Sequence, residues 1–382
     1  MYAEPETADF IIIGGGIAGA AAGYELRDIG KVIILEKESQ PGYHTTGRSA
    51  AIFHKGYNGG DSIIHTLVTA SEDFLNNPPN GFVPHPLLSP RDFFYIASKE
   101  NSAALSRLQG KLSELTIKMT HLGKKEAKRA LPHLTEEYQQ SALIEHDVAD
   151  VDVSALHEGY LRAIKSSGGQ VICDAEVQRL YQKEGHWCII TAQGEYRTPK
   201  VINAAGAWVD QIAEMANIAP INIKPLRRTM LLIDPPADLQ TDVLDWPIVM
   251  DAEEGSYFKP VSGKILLTPA DQHLTVPCDA QPEEIDIAQA VHYLEKTTAL
   301  KVTKINHSWA GLRNHVADGH PVVGFDPENN GFFWLAGQGG FGIKTAPAMG
   351  RITAALITGH GLPQDILDLG LREDQISIKR LR

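Results

Sequence analysis

Residues 9–38, DFIIIGGGIAGAAAGYELRDIGKVIILEKE, decide the fold. Phe10 to Ile13 is a short apolar run, Ala18 to Asp28 has helix-forming composition, and Val32 to Leu35 is a second, β-branched run. Gly14, Gly16 and Gly19 stand between the first run and the helix in G-x-G-x-x-G spacing, so the order is strand, glycine turn, helix, strand. Gly14 permits the tight turn, Gly16 lets backbone N–H groups approach a pyrophosphate, and Gly19 lets the helix pack closely on the strand. The phosphates then meet the positive helix N-terminus at Ile17 and Ala18. Glu36 ends the second strand, 20 residues beyond Gly16, where its carboxylate can accept hydrogen bonds from both hydroxyls of an adenosine ribose. An acid there favours a free 2′-hydroxyl, so FAD or NAD fits better than NADP.

The chain of 382 residues has room for two or three domains, and 43% hydrophobic with 21% charged residues is ordinary for a globular protein. A net charge of −12, with no basic run interleaved with aromatics, argues against nucleic acid and for small-molecule partners. The opening MYAEPETAD is acidic and polar, so Ile11 to Ile13 reads as a buried strand rather than a signal-peptide core. No apolar run approaches the length of a transmembrane helix. Cys173, Cys188 and Cys278 are widely spaced and odd in number, which suits a reducing cytoplasm and suggests no metal site.

No repeat or low-complexity linker divides the chain, so boundaries come from element type. Helical spacing runs over Ser62 to Asn76, Ser102 to Lys118, Lys124 to Leu131, Ala155 to Lys165 (N-cap Ser154), Trp208 to Met215 and Pro282 to Thr298. Strands are expected at Phe93 to Ile96, Gln170 to Cys173, Trp187 to Thr191, Lys200 to Asn203 and through Leu226 to Leu267. The tail repeats the opening pattern: Pro321 to Val323, Phe332 to Ala336, the turn GQGGFG at Gly337 to Gly342, and a helix Ile343 to Thr358. Too little chain follows for that turn to begin a second dinucleotide site. The expected fold class is α/β, a Rossmann-like nucleotide domain with an inserted α+β domain on a mixed or antiparallel sheet. The nucleotide domain takes residues 1–80, 146–222 and 306–382, and the inserted domain takes 81–145 and 223–305.

QPGYHTTGRSAA from Gln40, NPPNGF from Asn77, HPLLSPR from His85, NAAGAW from Asn203, WAGLR from Trp309, VADG from Val316 and FFWLAGQGGFGIKTAPAMG from Phe332 together resemble the D-amino acid oxidase family of FAD enzymes. Within it they look most like its D-arginine dehydrogenases. The resemblance implies non-covalent FAD, since no cysteine stands in Asp318 to Asp326, near where sarcosine oxidases carry their attachment residue. It puts Gly14, Gly16, Gly19, Glu36 and Lys37 on the adenosine diphosphate half, with Val177 by the adenine. His44, Thr45, Arg48, Ser49 and Ala50 lie along the pyrophosphate and flavin. Ala205, Gly206, Trp208, Gly311, Gly339, Gly340, Gly342, Ile343 and Lys344 complete the cofactor set, and the helix from Ile343 aims its positive end at the flavin's pyrimidine edge.

The activity so implied is oxidative deamination of D-amino acids by hydride transfer from Cα to flavin N5, giving an imino acid that hydrolyses to a 2-oxo acid and ammonia. Arg228 and Arg313 match carboxylate-binding arginines, Tyr57 and Tyr257 close the pocket, the Gly340 carbonyl accepts the substrate amine, and His54 is a candidate to assist its deprotonation. The family's substrate-side glutamate falls on Phe93 and its loop histidine on Ile52. Both changes make the pocket more apolar, so neutral or apolar side chains are expected over D-arginine. A quinone, a dye or oxygen serves as electron acceptor. A glycine- or sarcosine-type secondary-amine oxidase and a non-catalytic flavin-binding subunit stay open as alternatives.

Overall fold

The computed structural model describes residues 4–236, 242–253 and 255–382. In chain order the elements that build the site are β1 (Phe10–Ile13), α1 (Ile17–Leu26), β2 (Val32–Leu35), β3 (Phe93–Ile96), β4 (Ser141–Glu145), β5 (Lys200–Asn203), β6 (Lys224–Ile233), β7 (Tyr257–Val261), β8 (His307–His315), β9 (Asn329–Ala336) and α2 (Gly342–Ile357). Every residue of β1 and β2 is buried, so both are unbroken apolar runs rather than alternating ones. They pair in parallel, Ile11 opposite Ile33, with α1 as the crossover. The sheet they start has six strands in the order Gln170–Ile172, β2, β1, β5, β9, Val322–Asp326. The first five are parallel and the last is antiparallel to β9. Because β5 lies between β1 and β9, the turns after these three strands emerge at one edge of the sheet. That edge, at the carboxyl ends of parallel strands, is where α/β folds bind ligands.

A second sheet of nine strands runs His273–Leu274, β6, Lys264–Thr268, β7, Ile248–Asp251, β3, β4, Met119–Gly123, with β8 on the other side of β6. It is mixed, because β3 pairs in parallel with Ile248–Asp251 while β4, β7 and β8 pair antiparallel. The strand-rich stretch Leu226 to Leu267 is thereby accounted for, except residues 237–241 and 254, which lie outside the described residues. Two sequence expectations change. The helix expected from Ala155 is Val153–Ser166, and its N-cap is Asp152, whose carboxylate accepts the Ala155 N–H at 2.8 Å, rather than Ser154. β8, expected with the nucleotide unit from residue 306, instead pairs along β6 from His307 opposite Leu232 to His315 opposite Lys224. We propose the two-unit division given above with β8 moved to the inserted unit, whose sheet it extends.

Gly19 shows how tightly the first unit is closed. A Cβ there would stand 2.0 Å from the Gly14 carbonyl oxygen, so α1 sits on the β1 turn at a distance no side chain permits. Gly19→Ala is expected to lower stability by roughly 2 kcal/mol or more. Gly110→Ala, at an exposed helix position with nothing within 4 Å of the added Cβ, should raise it by about 0.5–1 kcal/mol. Denaturant midpoints of the two variants measure both, and a stable Gly19→Ala protein would contradict the packing.

Candidate active site

A cavity of about 540 Å³ is lined from both sheets. Its first stretch is the β1–α1 turn, with Gly14, Gly16, Ile17 and Ala18, then Glu36, Lys37 and Val177. Glu36 is buried, and its two oxygens accept the Gly15 N–H at 2.8 Å and the Glu38 N–H at 3.0 Å. Both bonds leave lone pairs for a ligand's hydroxyls. The Lys37 ammonium lies 3.7 Å over the Trp208 ring, and the His44 ring is 4.6 Å from the same indole, its Nε2 held at 2.7 Å by Glu38. Thr46, which the sequence reading passed over, accepts the first N–H of α1, from Ile17, at 3.0 Å. Thr45 donates to the Leu312 carbonyl at 2.7 Å, tying this loop to β8.

The far stretch is built where β6 and β8 run side by side. Arg228 stands opposite Gly311 and Arg313 opposite Leu226, so the two arginines are diagonal neighbours on one sheet face. Both line the cavity, with Tyr57, Tyr257, His54 and Ile52. Arg228 is 5% exposed, and burial together with the neighbouring Arg313 charge pulls it down to about 9, still protonated at neutral pH. The turn after β9 closes this end. A Cβ on Gly340 would fall 2.5 Å from the Tyr57 hydroxyl and 2.7 Å from Arg313 Cζ, so both side chains rest directly on bare backbone.

Behind His54 stands a buried carboxylate that no motif revealed. Glu145 accepts the Lys55 and Gly56 N–H groups at 3.0 and 2.9 Å and the Tyr95 hydroxyl at 2.7 Å. Its Oε2 is 3.7 Å from His54 Nδ1, an electrostatic contact rather than a hydrogen bond. Burial opposes its ionisation, and the surrounding donors outweigh that, holding it at about 2. Burial, then the Lys344 charge, lowers His54, which is therefore neutral at neutral pH. Glu145 escaped notice because its signal is tertiary: one acid in a strand, opposite Phe93 in the pairing of β3 with β4.

Three expectations are corrected by position. Phe93 does not line the cavity; it lies fully buried under His54, rings stacked at 5.1 Å and 15°. Gly19 packs behind the turn rather than in the cavity wall. Arg48 lines the cavity, yet its guanidinium donates to the Ala280 and Ala310 carbonyls at 3.0 and 2.9 Å and pairs with Asp279. Its donors therefore staple the loop to the second sheet and are not aimed at a phosphate. The remaining expected residues, including Ser49, Ala50, Ala205, Gly206, Gly339, Gly342, Ile343 and Lys344, all line the cavity. Elsewhere Asp271, His273 and Asp286 bring ligand atoms within 4.8 Å, but Thr229, Arg227 and His273 already bond to those carboxylates.

The cavity fits a dinucleotide by its polar lining. His44 Nδ1, Asn314 Oδ1, Gln338 Nε2 and Arg228 Nε are buried without a hydrogen-bond partner among the described residues, and all four residues line it. Such groups are costly unless a ligand engages them. Fold and site together define a nucleotide-linked redox scaffold of the α/β class. The family model described as DAO, FAD dependent oxidoreductase, matches residues 9–356, and the chain belongs to that family. Its cofactor is FAD. The chain is 24% identical to FAD-dependent oxidoreductase domain-containing protein 1 of Bos taurus, over 94% of this chain and 83% of that one. It is 25% identical to the glycine oxidase of Geobacillus kaustophilus, over 91% and 92%. The crystal structure of that glycine oxidase superposes with a TM-score of 0.84 at 21% identity, covering 98% of this chain and 99% of that one.

Glu145→Ala should cost on the order of 3 kcal/mol, since it leaves two N–H groups and a phenol without their acceptor. The carboxyl sits below its ordinary 4.5 in the folded protein, so its stabilising effect is full above about pH 4.5 and is lost as pH falls towards 2. Chemical denaturation of parent and variant between pH 3 and 7 checks this: the gap between them should narrow on acidification.

Proposed function

We propose that the protein oxidises the Cα–N bond of an α-amino acid of D configuration whose side chain is not basic. The product imino acid is hydrolysed by water to a 2-oxo acid and ammonia. The observation that supports it is the diagonal pair Arg228, which is buried, and Arg313, which is half-buried, two guanidinium groups on one face beside Tyr57 and Gly340. Planar, permanently charged groups so placed bind a carboxylate through paired hydrogen bonds. The D configuration and the roles of individual residues rest on the motif resemblance. FAD, when bound, supplies the hydride acceptor at its N5.

The chain's own residues bind, orient and deprotonate. The arginines and the Tyr57 and Tyr257 hydroxyls hold the carboxylate, and the Gly340 carbonyl accepts an amine N–H, so two points on the substrate fix which way Cα–H faces. His54 Nδ1 faces Glu145, leaving Nε2 of the neutral ring to take the ammonium proton and expose the nitrogen lone pair. That lone pair assists departure of hydride from Cα. Positioning of this kind is worth ~7 kcal/mol or more of a barrier. With Phe93 outside the cavity, exclusion of basic side chains rests instead on the two arginines that line it, Arg228 and Arg313. Likeness to a glycine oxidase favours a second reading, oxidation of glycine or its N-methyl derivative in the same site. Oxygen or a quinone-like acceptor reoxidises the cofactor.

Anaerobic bleaching of the purified yellow protein by a panel of D- and L-amino acids, N-methylglycine, D-arginine and D-lysine tests the reading, and admitting air then identifies an oxidase. Non-basic D-amino acids should bleach it fastest; a clear preference for D-arginine would sink the assignment. Arg228→Met and Arg313→Met should each lower kcat/KM by roughly 100-fold or more while retaining flavin.

A further inference from the structure

The α-carboxylate accounts for Arg228 and Arg313 and leaves one buried lysine of the cavity wall without a substrate role. Lys344 stands in the first turn of α2, is 3% exposed, and lines the same cavity. Its Nζ lies 4.2 Å from the centre of the Tyr57 ring. Among the described residues no carboxylate is within ion-pair distance of it. Glu145, whose charge reaches it, is already bonded to Tyr95, Lys55 and Gly56. Asp251, which also lines the cavity, accepts the Glu253 N–H at 2.8 Å.

The location is a poor one for a lone cation. The first turn of a helix carries partial positive charge, and burial followed by the Arg313 charge works against protonation of Lys344. A buried ammonium at a positive helix end is destabilising unless an anion answers it. Lys344 lies over the ring of Tyr57, whose hydroxyl rests with Arg313 against Gly340, and Lys344, Tyr57, Arg228 and Arg313 all line the one cavity.

Resting on the amino acid reading above, we propose that the substrate is a dicarboxylic amino acid. Its α-carboxylate lies on Arg228 and Arg313, and its side-chain carboxylate pairs with Lys344. The rival role for Lys344 is to place its charge against the flavin's pyrimidine edge, which would affect every substrate alike.

The flavin-loaded enzyme separates these roles by the absorbance change of its flavin on binding unreactive acids. Succinate and glutarate are expected to bind more tightly than propionate and butyrate, on the order of tenfold to hundredfold. Lys344→Met should bring that ratio close to one, and Lys344→Arg should restore part of it. Equal affinities in the parent protein overturn the proposal without any variant. So does a ratio unchanged in Lys344→Met, and so does a proportional weakening of both series with a shifted flavin reduction potential, which assigns Lys344 to the cofactor. In anaerobic reduction, D-aspartate and D-glutamate should exceed D-alanine and D-leucine. Fast bleaching by monocarboxylic amino acids with no dicarboxylate preference defeats this inference alone. Bleaching by no amino acid defeats the amino acid reading itself, and the ratio of binding constants then still decides whether Lys344 is an anion site.

Discussion

The parallel pairing of β5 with β1 on one side and β9 on the other governs everything functional in this molecule. Parallel strands put their carboxyl ends at one edge, so turns from three distant parts of the chain converge there without further design. The turn after β1 brings Gly16 and the start of α1; the turn after β5 brings Ala205, Gly206 and Trp208; the turn after β9 brings Gln338 to Lys344. One extended ligand can therefore touch all three. GQGGFG, which looks like a second copy of the opening fingerprint, is the other end of a single site. Residues 9–356 belong to one FAD-dependent family, and we propose that this cavity holds its FAD.

The second sheet answers the first with charge. β6 and β8 place Arg228 and Arg313 on one face, and the β9 turn approaches so closely that Gly340 contacts both Tyr57 and Arg313. Lys344 enters from α2, and Glu145 supports His54 from below. Arg228, Glu145 and Lys344 are buried, and a low dielectric makes a charge there both strong and costly. The loop between Ile52 and Tyr57 is pinned at Lys55 and Gly56 by one carboxylate, so acidification should loosen this wall of the cavity.

Much of the cavity lining was legible because a dinucleotide fingerprint follows local rules. Gly14, Gly16 and Glu36 are readable since turn geometry and ribose recognition demand those residue types at that spacing. Arg228 and Arg313 were legible by motif, though nothing in their separation of 85 positions indicates that they are neighbours. Arg48 shows the limit in the other direction. Its residue type suits phosphate, yet backbone carbonyls of Ala280 and Ala310 claim its donors, and no local pattern encodes that. Phe93 fails for a related reason. A strand residue faces one side or the other, and here His54 fills the space between it and the cavity.

Composition and periodicity by themselves determined an α/β chain that opens with a dinucleotide fold, because strand burial and helix–turn sterics act over a few residues. The same reading could not assign β8 to its sheet, find Glu145, or see that Lys344 is buried without a carboxylate partner among the described residues. Those facts depend on which distant backbones pair and what their side chains exclude from water. Pairing energy and desolvation are properties of the assembled chain, so tertiary structure decided them.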